Sequence, residues 1–370
     1  METDGHTLSL AERRDRLRLY RSENVGTTTF FRLLQQFGTA SRAIEALPAL
    51  ARRGGRRDTL RICTRAEADR ELECLDRLGG RLLCFGEPDF PPPLAVLETA
   101  PLLTLVGRSE LLRRDAVAMV GTRNASGGAR RMAAILAAGF GQAGLVVVSG
   151  LARGIDAAAH EAALATGTIA VLAGGVDVPF PPENHVLYQR IRAEGCVISE
   201  MPPGTSPKAN HFPRRNRLVS GLALGVVVVE AALRSGSLIT ARLALEQGRE
   251  LFAVPGSPLD PRCQGANDLI KRGAQLTETV EDVLAVLAPM RPIAPPSPPA
   301  RPVLPLFEEG PDTDETARMV LRTLSAVPVT VDEMLRQCQL SPAALATVLV
   351  ELELAGRLER LPGNRVALLP

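Results

Sequence analysis

The chain has 370 residues, enough for two or three domains, and sets 43 Lys and Arg against 41 Asp and Glu for a formal charge of +2 at pH 7, a balance that singles out no class of partner. Lys208 and Lys271 are its only lysines; genomic base composition alone can produce such a bias, so the placement of an arginine, not the count, marks a site. Cys63, Cys74, Cys84, Cys196, Cys263 and Cys338 include no Cys-x-x-Cys and have no histidine at ligand spacing, which argues against a zinc site and for ordinary reduced thiols; no metal is expected. The absence of a membrane-length apolar run and of a basic, apolar N-terminal leader points to a soluble cytoplasmic protein.

In chain order, residues 1–60 read as an N-terminal helical domain. Val25-Gly26-Thr27 interrupts one apolar pattern and Phe37-Gly38 ends the next, a helix-hairpin-helix-like punctuation of the kind that holds a phosphate on backbone amides; a plain packing unit fits the same pattern. Residues 61–288 alternate short apolar runs with helical stretches. Val117-Ala-Met-Val120, Leu145-Val-Val-Val148, Thr168-Ile-Ala-Val-Leu172, Val226-Val-Val-Val229 and Leu251-Phe-Ala-Val254 have the continuous apolar character of strands covered on both faces. With helices between them, they predict an α/β fold with a doubly wound, mainly parallel sheet whose ligands bind at the loops after the strands. Residues 289–312 are crowded with proline and read as an extended tether. Residues 313–370 read as helices over Glu315 to Ser325, Val331 to Gln337 and Pro342 to Ala355, then two short runs about Pro362-Gly-Asn364, the outline of a winged helix. Its recognition stretch carries Glu351 and Glu353 and no arginine before Arg357. That is poor chemistry for phosphates and predicts a protein-contact or regulatory module.

The loops after the strands carry the chemistry. Gly121, Gly150 and Gly154 permit close backbone approach, Thr122 and Ser149 offer hydroxyls, and Arg123 and Arg153 stand beside helix starts near Gly127 and Ile155: together a phosphate cradle. Neither lysine follows a glycine, so a Walker-type ATPase is excluded. Gly139-Phe-Gly141-Gln-Ala-Gly144 matches a dinucleotide fingerprint by letter, but it ends a predicted helix and precedes a strand, the reverse of what that site needs. No cofactor is expected. Phe212-Pro-Arg-Arg-Asn-Arg217 combines a stacking ring with guanidinium forks, a combination suited to a single nucleic acid strand.

Ser149-Gly-Leu-Ala-Arg-Gly-Ile-Asp-Ala-Ala-Ala-His160, Phe212-Pro-Arg-Arg-Asn-Arg217, Val229-Glu-Ala231, Ser235-Gly-Ser-Leu-Ile-Thr-Ala241 and Phe252-Ala-Val-Pro-Gly256 occur in this order, and the stretch from about Leu82 to Leu284 resembles the DNA-processing protein A (DprA/Smf) family. The resemblance implies an extended Rossmann-like domain with an N-terminal sterile-alpha-motif-like helical domain and a C-terminal winged helix. It further implies a homodimer that binds single-stranded DNA and helps load RecA recombinase onto strands covered by single-strand-binding protein during natural transformation. On the family pattern Gly121, Thr122 and Arg123 form a first phosphate loop and Ser149, Gly150 and Arg153 a second. Phe212, Arg214, Arg215, Asn216 and Arg217 then hold the strand, with Asp156, Glu230, Ser235, Gly236 and Ser237 supporting the site. Some members have a lysine where this chain has Ala209, with Lys208 adjacent; Phe180 stands in place of the usual tyrosine and Ala223 in place of a common serine.

Other roles are open to the same residues. Arg153 can pair with Asp156 or Glu161. Arg214, Arg215 and Arg217 cannot share one helical face, so at least one of them pairs internally, with Glu200 or Glu230 as partners. Glu230 can be a buried structural carboxylate, and His160 a hydrogen-bonded structural histidine. The expected function is non-enzymatic single-strand binding. The alternative is a Rossmann-like nucleotide phosphoribosyl hydrolase or transferase using Glu230 or Asp156.

Overall fold

The computed structural model describes residues 7–97, 100–290, 313–361 and 363–369. They form two compact units, one built on residues 71–290 and one joining residues 7–70 to the described residues from 313 onward. Beyond Met290, the proline-rich tether lies outside the described residues. Among the described residues no helix is long and apolar enough to cross a membrane.

Three helices open the chain: α1 (Leu10–Arg21), α2 (Thr27–Phe37) and α3 (Ala40–Arg53). Ser9 and Thr39 cap α1 and α3 through hydroxyls that accept from the amides of Glu12 and Arg42, each cap worth about 1 kcal/mol. The N-cap of α2 is Gly26, which brings no side chain to its free amides. Leu19, Phe30, Leu33, Leu47 and Leu50 close the core of this unit. Helix α4 (Arg65–Arg77) leads out of it.

The sheet domain runs β1 (Gly80–Cys84), α5 (Pro92–Leu97), β2 (Leu102–Gly107), β3 (Ala116–Val120), α6 (Gly127–Gln142), β4 (Val146–Ser149), α7 (Ile155–Ala163), β5 (Thr168–Val171), α8 (His185–Glu194) and β6 (Cys196–Ser199). It continues through α9 (His211–Gly221), β7 (Gly225–Val228), α10 (Ser237–Glu246), β8 (Glu250–Ala253), α11 (Gln264–Lys271), β9 (Gln275–Leu276) and α12 (Val280–Leu287). The strand order is β1-β2-β6-β5-β4-β3-β7-β8-β9. All pairs from β6 to β9 are parallel, and β1 and β2 add an antiparallel edge. The five runs read from the sequence are β3, β4, β5, β7 and β8, each within a residue of its expected bounds at either end; β1, β2, β6 and β9 are additional. Strand β3 explains why continuous apolar runs are needed: Ala116, Ala118 and Val120 enter one core layer, Val117 and Met119 the opposite one. The chain builds outward from β3 to β6, then crosses back to add β7 on the other side of β3. A crevice therefore opens between the loops after β3 and β7, the place where doubly wound sheets bind ligands. The Gly139 to Gly144 segment ends α6 and turns into β4, so it opens no helix.

The C-terminal segment is α13 (Thr313–Thr323), β10 (Val329–Thr330), α14 (Val331–Cys338), α15 (Pro342–Leu354), β11 (Leu358–Leu361) and β12 (Arg365–Leu368). Its sheet order is β10-β12-β11. Gly363 and Asn364 take positive φ and turn β11 into β12, as tight hairpins require. Thr330 and Ser341 cap α14 and α15, and Pro342 is in the first turn of α15, where its missing amide costs nothing.

Candidate nucleic-acid interface

The crevice between β3 and β7 is a cavity of about 430 Å³ lined by Gly121 and Arg123 after β3, Gly150 after β4 with Asp156 in the first turn of α7, Phe212, Arg215 and Asn216 on α9, and Ser235, Gly236, Ser237, Ile239 and Thr240 at the start of α10. The loops after β3, β4 and β7 thus meet here. Gly121 is constrained by close approach, since a Cβ there would lie 2.4 Å from Ile155 Cγ1.

The rim is aromatic and cationic. The half-buried Phe212 ring lies edge-on to exposed Phe180 with centroids 5.8 Å apart, and the Arg123 guanidinium sits 5.3 Å from the Phe212 centroid. Arg214 and Lys208 are exposed at the start of α9. The N-terminus of α10 has Gly236 as its cap with no side-chain hydrogen bond, and the Ser235 and Ser237 hydroxyls lie 2.7 Å apart beside it.

The floor is buried charge. Arg215 is 7 % exposed, donates through Nη1 to the Val171 carbonyl at 2.7 Å, and packs so tightly on Gly150 that a Cβ there would fall 1.9 Å from Nη1. Asp156 is buried too, and one of its oxygens accepts from the amides of Gly150 and Ala152 at 3.1 and 3.2 Å. Burial pushes the Asp156 carboxyl up, while Arg215 and the two amides pull it back. Burial also lowers the Arg215 guanidinium to about 10, opposed by Asp156.

Several residues expected to face a ligand are engaged inside the protein. The Gly150 amide belongs to Asp156. The buried Ser149 hydroxyl donates to the Met119 carbonyl at 2.6 Å, which ties β4 to β3. Arg217 is ion-paired with Glu200, one of the two partners anticipated for an arginine of this segment. Arg153 is exposed and lies 3.5 Å from Glu183, not from Asp156 or Glu161. Thr122 donates its amide to the Glu230 carbonyl, and its hydroxyl accepts from the Asn124 amide. The buried Glu230 carboxylate accepts from the Ser126 amide at 2.9 Å and so braces the loop after β3. Burial holds His160 down at about 3, and its Nδ1 meets Thr168 Oγ1 at 2.7 Å. Phe180, Ile239 and Thr240 are wall or rim residues that the motif reading did not place in the site. Ile239 and Thr240 lie within one turn of Ser237, and that spacing is the signal for them.

A doubly wound sheet with a cation-rimmed crevice at its switch point, attached to a small helical unit and a winged helix, defines a Rossmann-like binding protein with a cleft suited to anions. Residues 81–288 match the family described as DNA recombination-mediator protein A, residues 10–74 the DprA-like N-terminal HHH domain, and residues 288–364 the DprA winged helix domain. The chain belongs to this DprA/Smf family. It is 45% identical over 199 residues to DNA processing protein DprA of Streptococcus pneumoniae, covering 53% of this chain and 70% of that protein. With protein Smf of Escherichia coli it shares 38% over 290 residues, 76% of each. Among solved structures, that of S. pneumoniae DprA superposes with a TM-score of 0.64 at 33% identity, covering 76% of this chain and 98% of that one. A structure describing the single-stranded DNA binding mode of Helicobacter pylori DNA processing protein A superposes with a TM-score of 0.52 at 31% identity, covering 57% and 96%.

Proposed function

We propose that this chain binds single-stranded DNA without cleaving it and acts in DNA recombination or transformation by protecting strands and helping to load RecA. The observation that carries the reading is the rim: Phe212 and Phe180 offer ring edges and faces to unstacked bases, while Arg123, Arg214 and Lys208 are exposed beside them for phosphates. Stacking combined with unspecific charge gives affinity for a strand of any sequence. The H. pylori relative, described with single-stranded DNA, supports the same assignment. Gly121, Thr122, Asn216, Ser235, Gly236 and Ser237 shape the crevice, and Arg215 with Asp156 sets its floor.

The non-enzymatic reading is supported against the phosphoribosyl hydrolase by the state of the two acids. Asp156 is tied to two amides, and Glu230 is turned to the Ser126 amide, so neither is placed as a free base at the crevice. A homodimer, contacts with RecA and single-strand-binding protein, a cytoplasmic location and the division at residues 60, 288 and 312 belong to the same proposal.

Anisotropy with single- and double-stranded oligonucleotides across a salt series tests it. Arg123→Ala should lower the salt slope by about 0.7, the loss of one single-strand phosphate contact. Phe212→Ala should weaken binding by about 1–3 kcal/mol at an unchanged slope. Folded variants that bind like the wild type would refute the site, and turnover of a free nucleotide would refute the function.

A further inference from the structure

Helix α15 has two apolar faces. Leu345, Val348, Leu349 and Leu352 fill the core of its own winged helix, whereas Val350 and Leu354 belong to the core of the N-terminal helices, with Leu19, Phe30 and Leu50. A helix apolar on both sides is one buried on both sides. Polar contacts frame this second face. The buried Glu351 pairs with Arg53 at 2.9 Å, and Asn24 Nδ2 donates to the Leu354 carbonyl at 3.2 Å.

The helix ends match in charge. Glu353 reaches the first turn of α2, where Thr29 Oγ1 donates to its Oε2 at 2.5 Å and a Cβ on Gly26 would lie 3.2 Å from its Oε1. Arg360 donates to the same Oε2 at 2.8 Å. At the opposite pole Arg357 Nη1 donates to the Gly54 carbonyl, just past the end of α3, at 3.4 Å. An anion at a helix N-terminus and a cation at a helix C-terminus are the favourable signs. The turn around Gly26 is the helix-hairpin-helix punctuation noted in the sequence, and uncapped amides at such a turn are a place for phosphate.

We propose that α15 is a protein-docking helix whose partner is the N-terminal helical unit of the same chain, and that Glu353 occupies at α2 the place of a backbone phosphate, so that each unit withholds the other from DNA. In a helix-turn-helix the second helix is the one that enters the groove; here that helix is α15, and its outer face is spent on protein. The inference does not rest on the crevice of the sheet domain.

Gly54 supplies a selective probe. Its φ of −67° and ψ of −3° suit any residue, yet a Cβ there would lie 2.0 Å from the Glu351 carbonyl oxygen and 2.9 Å from Ala355 Cβ. Gly54→Ala therefore leaves each unit its own fold and removes the space between them. Hydrogen exchange by mass spectrometry on the full chain, with and without single- and double-stranded oligonucleotides, reads the outcome. Amides of residues 350–355 should exchange at least tenfold faster in Gly54→Ala, with those of the sheet domain unchanged. Oligonucleotide should protect the first turn of α2 or α15 in the variant and neither in the wild type. Unchanged exchange in the variant overturns the docking, and so does protection of these segments by DNA in the wild type. Exposure without any protection by DNA overturns the masking. Should Gly54→Ala fail to fold, the charge swap Arg53→Glu with Glu351→Arg replaces it: each single change should speed exchange and the pair restore it, and failure to restore counts against the contact.

Discussion

Gly150→Ala tests the floor of the crevice. Gly150 is not in the left-handed region, so its backbone admits alanine and the consequence is purely steric. The new Cβ would fall 1.9, 2.4 and 2.6 Å from Arg215 Nη1, Cζ and Nη2, against ordinary contact at about 3.5 Å. The guanidinium would have to retreat by roughly 1.5 Å, which breaks its hydrogen bond to the Val171 carbonyl; a charged bond of this kind is worth about 1.5–3 kcal/mol. If it holds its place instead, overpacking costs about 1–3 kcal/mol. Either route gives a loss of roughly 2 kcal/mol, or about 4–8 °C in the transition of a domain this size. Calorimetry of Gly150→Ala alone and in an Arg215→Met background isolates the clash. Without the guanidinium the alanine has room, and its cost should fall below about 0.5 kcal/mol, since the mechanism of larger losses is gone. An equal cost in both backgrounds refutes the packing of Arg215 on Gly150.

Arg217→Met separates a structural arginine from a strand-holding one. It removes the Arg217 end of the ion pair with Glu200, whose side chain is 11 % exposed, so stability should fall by about 1–3 kcal/mol while the salt slope of oligonucleotide binding stays that of the wild type; a slope lowered as in Arg123→Ala would place Arg217 on DNA. His160 gives a pH dependence. Its folded value is about 3 against 6.5 for a free histidine, so between these values the unfolded chain binds the extra proton, and stability is full above pH 6.5 and lost as pH falls toward 3. The limiting slope is about 1.4 kcal/mol per pH unit. Denaturant midpoints of wild type and His160→Gln should converge on acidification, and parallel curves would show that His160 is not held neutral.

The parallel core of the sheet was legible because strands buried on both faces cannot alternate: β3, β4, β5, β7 and β8 each appear as an uninterrupted apolar run. Of the rest, β2 and β6 are buried runs of the same kind, while β1 and β9 had less to show. Both residues of β9 are exposed, and β1 starts with two residues that are not buried, so neither has the continuous pattern. The antiparallel joining of β2 to β6 pairs segments far apart in the chain, such as Thr104 with Ser199, which no local pattern encodes. In the crevice, residue types were legible and directions were not. Arg123, Arg215 and Arg217 look alike as letters, yet they stand respectively on a ring, on a glycine in the floor and against Glu200. Helical period does separate one of them: Arg215 precedes Leu218 by three residues and Val219 by four, both buried, and so shares their inward face.

Two weak signals in the sequence have one physical explanation. A single glycine at residue 26 is little on which to base an anion site, and a recognition helix with Glu351 and Glu353 is ill-suited to phosphate. In the folded chain the second feature answers the first: Glu353 sits at the turn that Gly26 opens, and Glu351 meets Arg53 at the end of α3. Acids on that helix edge would repel a duplex, but they complement a helix N-terminus and an arginine. The same logic accounts for Val350 and Leu354, which on a groove-reading helix would be exposed apolar surface and here close the core of the N-terminal unit. The acidic residues and the apolar stripe thus have a single cause, a protein partner, and substitutions that suit one of these features to DNA should loosen the other.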